Sequence, residues 1–282
     1  MSRVRELNVE EITAAIAALC IEANTDLGSD VENAMQQALL REELPLARSV
    51  LQRLLQNAAI ARSEKMAICQ DTGMAVIFVD LGQDLHLTGG DFVTAVNEGV
   101  RIGYREGFLR KSVAHPISRK NTGDNTPAVI HLRLVPGEQI SLTVAPKGFG
   151  SENMGALCML TPAAGLAGVK QAVLDTVRKA GSNPCPPLVV GVGIGGTMEQ
   201  VTLLAKRALL REVGVFHAEP EMARLEQELL CEINQLGIGP QGFGGKTTAL
   251  HVAVEWAPTH IAGLPVAVNL NCHVARHRTR IL

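Results

Sequence analysis

Apolar residues recur at i, i+3 and i+4 spacing through three successive stretches before Ile68, the signature of amphipathic helices. Asn8 is placed to cap the first, from Val9 to about Ala23, with Glu10 and Glu11 in the turn where the helix dipole favours acids. A second helix follows Ser29-Asp30, and a third follows Leu44-Pro45, where proline suits a first turn. The pattern then changes: Met74-Ala75-Val76-Ile77-Phe78-Val79 is a continuous, largely β-branched run that predicts a buried strand. Thr88-Gly89-Gly90-Asp91 opens another helix through Gly103-Tyr104, and Val129 to Val135 and Ile140 to Ala145 alternate around Pro136-Gly137-Glu138 as a hairpin would. Further on, the spacing predicts helices near Gly168 to Ala180, Met198 to Val213 and Glu219 to Leu236. It predicts strands at Leu188 to Val192, Leu250 to Glu255 and Val266 to Leu270. Helices interspersed with strands and a hairpin signal predict an α+β fold, with a helical N-terminal layer and mixed or antiparallel sheets.

Three polar stretches interrupt the pattern. Cys69-Gln70-Asp71-Thr72-Gly73 joins the third helix to its strand; a turn ending on glycine crowds a thiol, an amide and a carboxylate together. Leu109 to Pro127 is too polar for core and too long for a simple turn, which suggests a functional loop. Pro146-Lys147-Gly148-Phe149-Gly150-Ser151-Glu152-Asn153 is glycine-rich ahead of a helix, a place where free N–H groups suit a carboxylate or phosphate.

Two glycine motifs look like nucleotide sites and fail on context. Gly191-Val192-Gly193-Ile194-Gly195-Gly196 fits G-x-G-x-x-G, but no second βαβ half follows it; a structural strand-to-helix turn, with Thr197 and Gln200 as a capping box, is the better reading. Gly244-Gly245-Lys246-Thr247 ends like a phosphate loop, yet Pro240 stands where its first glycine belongs. The glycine-rich loop from Gly237 to Lys246 should instead pack backbone close to a neighbouring segment or a ligand.

Composition narrows the chemistry. Apolar residues are 46 % and charged residues 19 % of 282, a globular balance. A net charge of −2 without a basic block argues against nucleic acid, and 3 % aromatics against stacking platforms. No run of 18 apolar residues exists to span a membrane, and the N-terminus from Met1 lacks a leader's apolar core, so the cytoplasm is expected. Six cysteines should then be reduced. Cys20, Cys158 and Cys231 sit in apolar or helical patterns and should be at least partly buried hydrophobes. Cys69, Cys185 and Cys272 sit in loops containing Gly, Pro or Asn. Without a C-x2-C pair, their spacing admits two readings. One is a cysteine nucleophile served by His260 or His273. The other is three thiolates holding an iron–sulfur cluster by three corners, with the fourth iron open to substrate.

The motifs taken together resemble the class I iron–sulfur fumarate hydratase family: Cys69-Gln70-Asp71-Thr72-Gly73, Asn121-Thr122-Gly123, Gly150-Ser151-Glu152-Asn153, Cys185-Pro186-Pro187, Gly244-Gly245-Lys246 and Cys272. More closely they resemble the α subunit of its two-subunit members, which are related to the L(+)-tartrate dehydratase α subunit. The resemblance covers roughly residues 10 to 282 and implies one catalytic domain over 1–282. It implies a 4Fe–4S cluster at converging loops on Cys69, Cys185 and Cys272. Asp71 and His260 are implied as catalytic, and Gln70, Arg110 and Gly150 as substrate contacts. The implied reaction is reversible hydration of fumarate to L-malate, a step of the tricarboxylic acid cycle. L(+)-tartrate or mesaconate are the alternative substrates, and a non-catalytic iron–sulfur protein is the alternative of another class. The Gly-Ser-Glu-Asn form of the 150 loop resembles fumarase-type rather than tartrate-type α subunits. Single-chain members continue into a second domain carrying the catalytic base, so a separate β subunit in a heterotetramer is expected to complete this site.

Overall fold

The computed structural model describes residues 4–282. Met1 to Arg3, where the N-terminal stretch read for a leader begins, lie outside the described residues. The chain opens with β1 (Arg5–Asn8), α1 (Val9–Thr25), α2 (Ser29–Arg41) and α3 (Pro45–Glu64). Then come β2 (Met74–Gly82), β3 (Leu85–Thr88), α4 (Phe92–Glu106), β4 (Val129–Val135) and β5 (Ile140–Lys147). They are followed by α5 (Phe149–Glu152), β6 (Ala156–Leu160), α6 (Gly165–Ala180), β7 (Leu188–Gly195) and α7 (Met198–Ala208). The last elements are α8 (Pro220–Gln235), β8 (Ala249–Ala257), β9 (Leu264–Asn271) and β10 (Arg278–Ile281). The expected α+β class holds. The elements divide into two compact units, one of Met1–Leu27, Ala58–Gly148 and Arg276–Leu282, the other of Gly28–Asn57 and Phe149–Ala275.

In the first unit a four-stranded sheet runs in the order β10-β5-β2-β4, beside a parallel pair of β1 and β3 that the sequence pattern did not reveal. β4 and β5 form where expected but are not a hairpin, because β2 lies between them, parallel to β4 and antiparallel to β5. The reason is burial. β2 is buried from Ala75 through Val79, so it needs ladder partners on both edges, whereas β4 leaves Leu132 and Leu134 exposed and suits an edge. α1 and α4 cover the sheet: Ile12, Ile16 and Leu19 join Val96, Val100 and Tyr104 over Ile77, Val79, Leu142 and Val144. Each such aliphatic side chain contributes about 1.5–3 kcal/mol on full burial. Both helices start on side-chain caps. Asn8 accepts from the Glu10 N–H at 2.9 Å, and Asp91 accepts from Thr94 at 2.7 Å.

In the second unit the sheet order is β6-β9-β7-β8, with β7 antiparallel to β9 and parallel to β8. β7 runs on through Gly195, so the first five residues of the G-x-G-x-x-G motif are strand and not a phosphate-binding turn. A Cβ on Gly191 would lie 2.2 Å from the Ala205 carbonyl oxygen, and one on Gly193 2.1 Å from that of Val201. These glycines let α7 rest on the strand backbone. The expected capping box is absent: Thr197 makes no cap hydrogen bond, its hydroxyl meeting the Glu199 carboxylate at 2.8 Å instead. α6 and α8 bury Val169, Val173, Val177, Leu225, Leu229 and Ile233 against the sheet. Cys231 is exposed, contrary to expectation, because α8 turns that stripe inward and leaves Cys231 off it. The glycine loop after α8 packs closely, as expected. A Cβ on Gly245 would lie 2.6 Å from a Glu42 carboxylate oxygen, and that oxygen accepts the Lys246 N–H at 2.7 Å.

Candidate active site

The first unit builds a rigid platform around Cys69. The Ile68 N–H donates to Asn24 O at 2.9 Å before the turn, and Asp71 Oδ1 accepts the Gly73 N–H at 3.0 Å across it. Gly73 has φ +74°, and a Cβ there would lie 2.7 Å from Lys147 backbone, so only glycine fits this close approach. Beneath the turn, Tyr104, the chain's single tyrosine, is fully buried, and its hydroxyl points at the Thr72 and Gly73 carbonyls at 2.8 and 3.0 Å. Burial pushes its ionisation well above the usual range, so the hydroxyl stays a donor.

The polar loop from Leu109 is tied to this platform. The Thr72 hydroxyl donates to Arg110 O at 3.1 Å. Asn125, fully buried at φ +64°, donates to Gly73 O at 3.2 Å and accepts from Ser112 N–H at 2.7 Å and Val113 N–H at 3.3 Å. Asp124 locks the same bend. Desolvation alone would raise its carboxyl, but bonds from Thr126 and Arg101 outweigh this and hold it at about 2. Gln70 and Arg110 are exposed on this platform, while Cys69 and Asp71 are half-buried. A Cβ on Gly148 would lie 3.1 Å from Asp71 Oδ2. Behind the turn, Arg276 donates Nη2 to Asp71 O. Tyr104, Asn125 and Arg276 escaped sequence reasoning; a lone tyrosine on an apolar helix face was the one available hint.

The second unit brings Cys185 and Cys272 together. β7 begins just after Cys185 and β9 ends just before Cys272, with Val189 opposite Asn271. The His273 N–H donates to Cys185 O at 3.3 Å, and Gln241 donates its backbone N–H and its Nε2 to Pro186 O, each at 2.7 Å. Cys185 itself has φ +56° and is exposed, and Cys272 is half-buried. This differs from Cys20, fully buried on α1, whose thiol burial pushes up to about 12 and leaves inert. Gly150 is exposed within α5. That element is only four residues long, so the expected glycine loop ahead of a helix is a single turn with a weak dipole. Glu152 anchors it through Lys206 at 2.6 Å and Asn269 at 2.9 Å.

His260 stands apart from Cys272. It caps the β8–β9 turn, at the opposite end of the eight-residue β9 from Cys272. At about 3.3 Å per residue the strand separates them by roughly 26 Å. One small diacid cannot touch both within one chain. His260 lies instead beside a groove of about 560 Å³ with Leu166, Trp256 and Ile261. Among the described residues no group of three His, Cys, Asp or Glu side chains forms a ready metal centre. The donor set nevertheless suits soft metal: three accessible loop thiols, two of them on adjoining loops. No helix among the described residues is long and apolar enough to cross a membrane.

Residues 13–281 match the family model described as fumarate hydratase (Fumerase). The chain is 40 % identical over 272 residues to the "Putative L(+)-tartrate dehydratase subunit alpha" of Methanocaldococcus jannaschii, covering 94 % of this chain and 95 % of that one. It is 29 % identical over 278 residues to the L(+)-tartrate dehydratase subunit alpha of Escherichia coli O157:H7, covering 97 % and 91 %. The thiol–carboxylate turn, the tethered cationic loop and the paired cysteine loops thus sit in a chain matched almost end to end, and it belongs to the fumarate hydratase family.

Proposed function

We propose that this chain is the α subunit of a cytoplasmic hydro-lyase that interconverts L-malate with fumarate and water, with a 4Fe–4S cluster held by Cys69, Cys185 and Cys272. The observation that carries the reading is the 3.1 Å bond from Thr72 to Arg110 O, which tethers a cation-bearing loop to the turn that holds Cys69 and Asp71. An anionic substrate and a proton-transfer group are then served by one platform.

Dehydrating a 2-hydroxy diacid requires removal of a C3 proton and departure of hydroxide, a poor leaving group. A cluster with one iron free of protein ligands supplies the Lewis acid for that hydroxyl. Arg110 clamps a carboxylate through its planar fork, with Gln70 and the Gly150 N–H as further contacts, and so fixes the face presented. Asp71 hydrogen-bonds the substrate hydroxyl and exchanges its proton. The C3 base comes from a separate β subunit, consistent with relatives named as α subunits, and two αβ pairs form the working assembly. His260, too far from Cys272 in its own chain, is delivered by a second copy. A second reading, L(+)-tartrate as substrate, is favoured by the names of those relatives.

The test is anaerobic assay of the αβ complex with L-malate, fumarate, L-tartrate and mesaconate, beside iron analysis of cysteine variants. Cys69→Ser, Cys185→Ser and Cys272→Ser should each lose iron, and Cys158→Ser should keep it. Malate should exceed tartrate about ten- to hundredfold in kcat/KM, since a malate pocket leaves the second hydroxyl unpaired at about 1–3 kcal/mol. Faster tartrate turnover overturns the substrate, and robust hydration by the isolated chain overturns the β-subunit requirement. Iron retention without turnover in the complex favours a non-catalytic iron–sulfur protein.

A further inference from the structure

Arg276 is 6 % exposed, yet Nε and Nη1 have no hydrogen-bond acceptor among the described residues. Only Nη2 is satisfied, by the main-chain carbonyl of Asp71, two residues past Cys69. A guanidinium stripped of water and given one neutral acceptor is costly, and folded chains rarely keep one without an anion to meet it. The nearby buried polar groups are already engaged with the main chain: the Tyr104 hydroxyl points at the Thr72 and Gly73 carbonyls, and the Asn125 amide donates to Gly73 O.

We propose that Arg276 is a positioning residue that locks the Asp71 carbonyl with Nη2 and donates Nε and Nη1 to the anionic, thiolate-ligated cluster held through Cys69. This rests on the cluster reading above and goes beyond it by assigning the cluster a cationic partner from outside its ligand set. N–H donors to cluster sulfur and a nearby positive charge both stabilise the reduced, more negative state, so Arg276 raises the cluster's reduction potential. Loading the cluster then gives the Arg276 guanidinium an anionic partner.

The full chain as wild type, Arg276→Lys and Arg276→Met is to be loaded anaerobically with ferrous iron and sulfide. Its potential is then followed by electron paramagnetic resonance, and its Tm is measured before and after loading. Arg276→Met should load, show a more negative potential, and gain less Tm on loading than wild type; Arg276→Lys should fall between, having the charge without the fork. Should Arg276→Met fail to fold, an Arg276→Lys potential equal to wild type overturns the proposal. So does an unchanged potential in Arg276→Met joined to a tenfold higher KM for malate in the αβ complex, which would assign the free donors to a substrate carboxylate. A wild type that takes up no cluster removes the underlying reading, a result distinct from either.

Discussion

Tyr104→Phe isolates the platform under Cys69 from everything else. Phenylalanine keeps the ring in the core with Val96, Val100 and Ile16, so no cavity forms and only the hydroxyl is lost. Gly73 O retains the Asn125 amide at 3.2 Å, whereas Thr72 O accepts no other hydrogen bond among the described residues. Losing a net hydrogen bond is worth about 0.5–1.5 kcal/mol, and a buried orphaned carbonyl raises the cost to about 1–3 kcal/mol. For a chain of this size that is a fall in Tm of roughly 2–10 °C, read by scanning calorimetry or circular dichroism. Because burial holds Tyr104 neutral, the difference between variant and wild type should persist at mildly alkaline pH. In the αβ complex the loosened turn should lower kcat/KM for malate, since Asp71 and the Arg110 loop share that support. A Tm within about 1 °C of wild type, with unchanged kinetics, would refute the claim that the hydroxyl holds the turn.

Gly193→Ala should cost about 1–3 kcal/mol, because its Cβ would sit 2.1 Å from Val201 O and force α7 off the strand; thermal melts read the loss. Fluorescence titration with a nicotinamide dinucleotide should show no binding in wild type or variant, and saturable binding would restore the nucleotide reading of the motif. His251, 1 % exposed, titrates near 4 rather than 6.5, chiefly through burial, with Arg211 adding to the shift and Glu226 opposing it. Its folded form binds protons less readily than the unfolded chain. Stability is therefore full above about pH 6.5 and falls as pH drops toward 4, by up to about 1.4 kcal/mol per pH unit. His251→Phe, which preserves a ring beside Phe216, should flatten that acid limb in pH-dependent melts; an unchanged limb would show that His251 does not set it.

The local shape of the candidate site is legible in the sequence. A thiol, an amide and a carboxylate on a glycine turn is a local arrangement, and the Asx bond from the Gly73 N–H to the Asp71 carboxylate forms as the residues imply. The polar run from Leu109 declared itself by being unfit for core. Helix starts at Asn8 and Asp91 were readable because a cap needs only neighbouring residues. The hairpin failed because alternation defines a strand but not its partner. β2, more buried than either neighbour, claimed the centre of the sheet between β4 and β5. The capping box at Thr197 failed because a competing carboxylate two residues on, Glu199, took its hydroxyl.

What the sequence alone determined is therefore what local chemistry dictates: the helices, the strands, the turns and the identity of the chemically able side chains. Only the tertiary structure could decide long-range pairing. It brought the Cys185 and Cys272 loops together through His273, and it set His260 at the far end of β9, although just eleven residues separate His260 from Cys272 in the chain. It also sank Tyr104, Asn125 and Arg276 beneath the Cys69–Gly73 turn. An extended strand carries neighbours in sequence apart at about 3.3 Å per residue, while sheet pairing joins residues far apart in the chain. Distance along a sequence thus says little about distance in the site.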